Sequence, residues 1–144
     1  MSETILSIAG KPGLFKLVSR GKANLIVETL DETHRRQPAF ATDRVTSLGD
    51  ITMFTTDDDI RLGEVLIKLR NKESSQPASL NWRKASATEL HNYFAEIVPN
   101  YDRDRVHNSD IKKLIQWYNI LISAGITDFE EIFMPKQDEL NSQE

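Results

Sequence analysis

The chain has 144 residues, about one domain's worth and long enough to bury a core of its own. Its formal charge is −4, and it contains no cysteine, which excludes disulfides, thiolate metal sites, iron–sulfur clusters and cysteine nucleophiles. The charge is uneven: residues 1–76 carry 11 basic and 11 acidic side chains, while residues 77–144 carry 7 and 11, so no basic field covers the whole chain.

From the N-terminus, Ile5 to Ala9 form a leading strand or a short helical lead-in. Gly10-Lys-Pro-Gly13 is turn chemistry and lacks the spacing of a phosphate loop. Leu14–Ser19 and Leu25–Leu30 are short apolar strands, and the polar turn between them predicts a hairpin. Asp31–Gln37 is a polar loop, Pro38–Ala41 an edge strand, and Val45–Leu48 with Asp50–Thr55 further strand material. Several short strands within about 50 residues predict a small barrel or rolled sheet, with an SH3-like barrel as the first choice.

The period then changes. Asp57, Asp58 and Asp59 suit a helix N-terminus, and Leu62, Val65, Leu66 and Leu69 mark one helical face over about 60–71. Residues 71–79 are polar and read as a linker. Ser86-Ala-Thr-Glu89 is a capping box opening a helix that stops at Pro99. Ile111, Leu114, Ile115, Tyr118, Leu121 and Ile122 make the stripe of a long helix, capped by Asn108 or Ser109 and ended by Gly125. Thr127-Asp-Phe-Glu130 is a second capping box before a short helix stopped by Pro135. The predicted class is α+β: a β-rich barrel-like domain over 1–73 with one helix, a helical domain over 79–135, and a flexible tail at 136–144.

Two stretches also carry a family resemblance. Gly10-Lys-Pro-Gly-Leu-Phe-Lys-Leu-Val-Ser19 with Arg36-Gln-Pro-Ala-Phe-Ala41 resembles the N-terminal domain of an uncharacterised Bacteroidetes protein family. Pro99-Asn-Tyr-Asp-Arg-Asp-Arg-Val-His-Asn-Ser-Asp-Ile-Lys-Lys-Leu-Ile-Gln-Trp-Tyr-Asn-Ile-Leu121 is similar to the helical C-terminal domain of the same proteins. The resemblance implies a β-rich module followed by a helical one. It brings no catalytic residues with it.

Four groups of residues invite a functional reading. Asp102, Asp104 and His107, with Asp110 nearby, either ligate a divalent cation in a metal-dependent enzyme or form a helix-entry loop of paired charges. Lys112, Lys113, Trp117 and Tyr118 place aromatics beside cations, with Tyr118 on the core stripe and Trp117 at a core edge or an interface. His34-Arg35-Arg36 lies in an inter-strand loop, where guanidinium groups can take phosphate or carboxylate. His91 is expected to face solvent, and none of the histidines sits near a nucleophile in an informative pattern.

We therefore assign no catalytic, cofactor-binding or metal residue and expect no cofactor. The expected function is non-enzymatic binding or adaptor work in the cytoplasm with a protein partner, through Arg35, Arg36, Arg103 and Arg105. The alternative is RNA binding through the basic segment 11–44, which holds seven basic and four acidic residues. The acidic N-terminus and the lack of a long apolar run predict no membrane association. The apolar stripe at 111–122 raises the prospect of a homo-oligomer.

Overall fold

Gly10 and Gly13 both adopt positive φ, at 83° and 82°, and fold the chain back on itself. This lets β1 (Ile5–Ile8) pair antiparallel with β2 (Phe15–Arg20). The computed structural model describes residues 4–11, 13–22, 24–31, 33–40 and 43–133. The predicted tail at 136–144, Pro135 and Glu32 lie outside the described residues. β2 continues into β3 (Asn24–Thr29), the expected hairpin, and β3 into β4 (Arg36–Phe40). β5 (Val45–Ser47) returns to pair with β1, giving an antiparallel sheet in the order β4-β3-β2-β1-β5.

The period of two sorts the side chains onto two faces. Leu6, Ile8, Phe15, Val27 and Ala39 share one face and form a small core drawn from the strands themselves. Val27 has 0% exposure there. A flat sheet could not bury it with its own residues, so the sheet must curl over this face. The register slips by one residue at Val18, between Leu17 and Ser19, a bulge that sharpens the local twist. Among the described residues β4 and β5 do not pair, so the sheet is rolled but not closed.

Beyond a 3-10 turn at Leu48–Asp50 lie β6 (Thr52–Met53) and β7 (Ile60–Arg61), which pair as a two-stranded hairpin. Four helices follow: α1 (Leu62–Lys72), α2 (Ala87–Ile97), α3 (Asn108–Ser123) and α4 (Phe129–Phe133). The leucine face of α1 is buried as its spacing predicts, and α1 packs on α2, α3, α4 and the 3-10 turn. The second face of the sheet contributes Ile5 and Leu14 to the same core as Leu66, Phe94, Leu114 and Phe129. One apolar body thus runs from the sheet through the helices. Each fully buried leucine or phenylalanine in it contributes roughly 1.5–3 kcal/mol.

The helix ends follow their sequence signals in part. At α2 the Ser86 hydroxyl accepts the Glu89 N–H at 3.2 Å, and the Glu89 carboxylate accepts the Ser86 N–H at 2.9 Å. α3 starts at Asn108, so His107 takes the N-cap position. It ends at Gly125, where φ is 78°. At α4 Glu130 is diverted from the expected capping box. Arg70 donates to both its oxygens at 2.5 Å and to the Thr127 carbonyl at 2.7 Å. The guanidinium also lies over the Phe129 ring at 5.7 Å, so a single side chain fastens α4 to α1.

Residues 71–79, read as a linker, are tied down along their length. The Glu73 carboxylate accepts the Ser79 N–H and hydroxyl, each at 2.9 Å, and the Tyr93 hydroxyl. The Tyr118 hydroxyl donates to the Gln76 carbonyl at 2.5 Å, and the Ala78 N–H donates to the Asn119 side-chain oxygen at 2.8 Å. Burial works to raise the Glu73 carboxyl, but the bonds from Ser79 and Tyr93 outweigh it and hold the group below its ordinary range. Burial, followed by the Glu73 charge, pushes the Tyr118 phenol up to about 12.

Replacing Glu73 by alanine strips acceptors from Ser79 and Tyr93 together. We expect Glu73→Ala to cost about 1–3 kcal/mol in urea unfolding, and an unchanged midpoint would contradict this account. The Arg70 guanidinium holds the Glu130 carboxyl at about 2, against an ordinary 4.5. A depressed carboxylate contributes stability that is complete above the unfolded value and drains away as the pH falls toward 2. The stability gap between wild type and Glu130→Gln should therefore be constant above about pH 5 and narrow below it. A gap that stays constant down to pH 3 would show that Arg70 gains nothing from the charge.

Candidate functional site

The site grows from the hairpin of β6 and β7. The buried Thr55 hydroxyl donates to the Asp58 carbonyl at 2.5 Å and accepts the Asp57 N–H at 3.0 Å, which closes the hairpin loop. Thr55 also bridges to Tyr101, with Thr56 N–H donating to Asn100 O at 2.9 Å and Asp102 N–H to Phe54 O at 3.0 Å. Residues 100–102 thus run as a short strand along the outer edge of 54–56.

That strand stops at Asp102. The Asp102 carbonyl accepts the N–H groups of Arg105 and Val106, at 3.1 and 2.9 Å. Its carboxylate accepts the Asp104 N–H at 3.0 Å and the Arg105 Nε at 2.9 Å. The bond from Arg105 is the main reason the Asp102 carboxyl lies below its ordinary range. Val106 turns inward to the core, and Asp110 accepts the His107 N–H at 2.9 Å to open α3. Asp102, Asp104 and His107 do not converge. Among the described residues no group of three or more His, Asp or Glu is placed to hold a metal ion. This segment is the helix-entry loop of paired charges.

His91 backs the loop and does not face open solvent. Its Nδ1 lies 2.7 Å from the Tyr101 hydroxyl and its Nε2 2.9 Å from the Asn108 side-chain oxygen. An amide oxygen only accepts, so Nε2 donates to Asn108. The Tyr101 ring stacks on His91 and meets Phe94 edge-on at 4.9 Å.

Where residues 100–102 leave the edge of β6, a groove of about 240 Å³ opens. Met53, Leu62, Val106 and Leu114 form its apolar floor. Phe54, 38% exposed, is one wall and Trp117 of α3 is the other. Each aromatic wall carries a cation: Arg105 lies 4.2 Å from the Phe54 ring centre, and Lys113 lies 5.8 Å from that of Trp117. Arg103 lies 5.9 Å from the ring of Tyr101, which does not line the groove. Of the predicted Arg103 and Arg105, only Arg105 reaches the groove, through the Phe54 wall, and the Lys113–Trp117 pair lines it. Phe54 and Thr52 had no sequence signal, because in the sequence they are ordinary strand residues.

Arg35 and Arg36 are elsewhere and apart. Glu28 faces Arg36 across the β3–β4 ladder, and Val27 faces Gln37, so Arg36 shares the face of Glu28 and Arg35 the opposite one. Arg36 Nε lies 3.3 Å from Glu28 Oε1, and His34 Nδ1 3.3 Å from Oε2. Arg36 is the main cause of the lowered Glu28 carboxyl. Asp31 accepts from Thr29, Thr33 and the His34 N–H, bonds that bring it down to about 2. Lys16 faces Glu28 and Arg20 faces Leu25, so the cations of 11–44 are divided between the two faces of the sheet.

The architecture is that of an α+β protein in which a rolled antiparallel sheet and a helical layer share one core. Two family models match it, each described as a domain of unknown function: DUF5606 over residues 3–48 and DUF6852 over residues 51–121. A solution NMR structure of a protein from Bacteroides vulgatus, from the Northeast Structural Genomics Consortium, is 62% identical, with a TM-score of 0.74 over 90% of this chain and 91% of that one. No curated protein matches the sequence. The chain belongs to the uncharacterised family that joins these two domains, β-rich and then helical. No helix among the described residues is long and apolar enough to cross a membrane.

The Asp110 carboxylate holds the entry to α3, and with it the Lys113–Trp117 wall. Asp110→Ala should cost about 1 kcal/mol and speed amide exchange in the first turn of α3. Unaltered exchange at residues 108–112 would count against that role.

Proposed function

We propose that this protein is a non-enzymatic binding protein, an adaptor acting in the cytoplasm on a protein partner, and that the groove between β6 and α3 is its contact surface. The observation that carries the reading is the pair of aromatic walls, Phe54 and Trp117, each with a cation over it above an apolar floor. Aromatic and arginine side chains around a water-excluding floor are the residues on which protein contacts concentrate their energy. The loop at 101–110, held by Asp102 and backed by His91, gives the rim a fixed shape before any partner arrives.

The same proposal reads the rolled sheet as SH3-like. Its order β4-β3-β2-β1-β5, a meander whose last strand returns beside the first, and its self-contained inner face support this. RNA binding through 11–44 needs the cations on one side. Their division between two faces, and the hold of Glu28 on Arg36 and His34, favour the groove instead.

The test is affinity capture with the full tagged chain from its own cytoplasm, with and without nuclease, for wild type, Phe54→Ala/Arg105→Glu and Arg35→Glu/Arg36→Glu. The expected result is a defined protein that survives nuclease and whose recovery falls at least about tenfold with the groove variant only. Retention that disappears with nuclease and with the Arg35/Arg36 reversal would replace this reading by the nucleic-acid one.

A further inference from the structure

Among the described residues nothing pairs with the outer edge of β6 inside the groove. The Leu62 N–H donates to the Ile51 carbonyl at 2.8 Å, and Met53 faces Ile60. In an antiparallel ladder hydrogen-bonded pairs alternate with pairs that are not, so 51/62 and 53/60 exchange the bonds and Thr52/Arg61 do not. The N–H and C=O of Thr52 therefore point away from β7, into the groove that Thr52 lines. On this same edge, residues 100–102 already add a short strand to 54–56. The chain turns away at Asp102, before it reaches Thr52.

We infer that the groove takes an extended segment of a partner protein, added as a strand to β6 at Thr52, with an apolar side chain on the floor. This rests on the reading of the groove as the contact surface and names what enters it. Strand addition supplies main-chain hydrogen bonds at the edge, and alternate side chains supply the selectivity. The apolar anchor is set by Met53, Leu62 and Leu114. Charge at the opening is balanced: Arg105 pairs with Asp102, and Lys113 shares the lining of the groove with Asp110. Asp110 accepts the His107 N–H at the start of α3, and Asp102 accepts from Arg105 and Asp104. Asp57, Asp58 and Asp59 stand beyond Thr55 in the hairpin loop, past the part of the edge that residues 100–102 cover. The apolar floor and the free edge, rather than charge, therefore set what enters.

The experiment pans phage-displayed random dodecapeptides on the immobilised full chain and measures the selected peptides by fluorescence polarisation. Selected sequences are expected to share an aliphatic or aromatic anchor and to lack proline at the positions beside it. Thr52→Pro should weaken binding at least about tenfold. Proline is tolerated at a sheet edge, and this N–H takes no part in the β6–β7 ladder, so the fold should survive and circular dichroism will verify it. Thr52→Ala keeps the N–H and should bind as wild type does. Peptides that bind Thr52→Pro as well as wild type, yet lose binding with Phe54→Ala, overturn the inference and leave the groove as the contact surface. Selection of nothing above background, or of peptides indifferent to Phe54→Ala, overturns both.

Discussion

The apolar stripe of α3 is the constraint around which the chain is arranged. Ile111, Leu114, Ile115, Tyr118 and Leu121 all lie at or near zero exposure, so one helix must be covered along its length. The cover comes from within the chain: α1, α2, α4 and the residues of the sheet that face them. This removes the physical reason for a second copy on that stripe. It also decides what happens at the edges. A phenol buried at Tyr118 needs an acceptor, and it finds one in the Gln76 carbonyl, so the polar stretch after α1 is drawn down against α3.

The polar groups that hold the helices act in the same direction as the core. Glu73 gathers the donors of Ser79 and Tyr93, and Arg70 takes both oxygens of Glu130 and the Thr127 carbonyl. Each clamp sits at the end of a helix and closes a long stretch of chain. Ser74 and Ser75 accept positive φ of 54° and 62° between them, a conformation that L residues avoid at a cost of roughly 1–2 kcal/mol each. The bonds from Glu73, Tyr118 and Asn119 are what offset it.

Much of this was legible in the sequence because it is local. The meander follows from Gly10, Gly13 and the polar turn at 20–24, and the helices follow from their leucine spacing and from Ser86, Glu89 and Gly125. What was not legible is what depends on distant partners. The Thr127–Glu130 box is correct as a pattern, yet Glu130 turns to Arg70, 60 residues away in the chain. The leader of α1 is read as helix from residue 60, but Ile60 and Arg61 pair with Thr52 and Met53 first, and a two-residue strand leaves no periodicity to detect. Arg35 and Arg36 look like a patch in a loop. Once β4 begins at Arg36 and pairs with β3, adjacent residues must part to opposite faces. Arg105 and Lys113 are eight residues apart and were flagged for separate reasons. Only the turn at Asp102 brings their aromatic supports, Phe54 and Trp117, to the same opening.

The shape of that opening separates the kinds of partner that could use it. At about 240 Å³ it is smaller than the roughly 300–1,000 Å³ in which proteins enclose small organic ligands, so it suits one or two side chains of something larger. A nucleic acid would be drawn by a broad positive field, and the chain's net charge is −4 with its cations divided over two faces. A helix laid in the groove would leave the main-chain groups of Thr52 facing apolar side chains, and an unmatched amide in such a place costs a few kcal/mol. An extended segment satisfies those groups, fits a narrow floor with alternate side chains, and continues a ladder that residues 100–102 have already begun. The backbone edge thus favours an extended partner, and the apolar floor then sets the side chain that it presents.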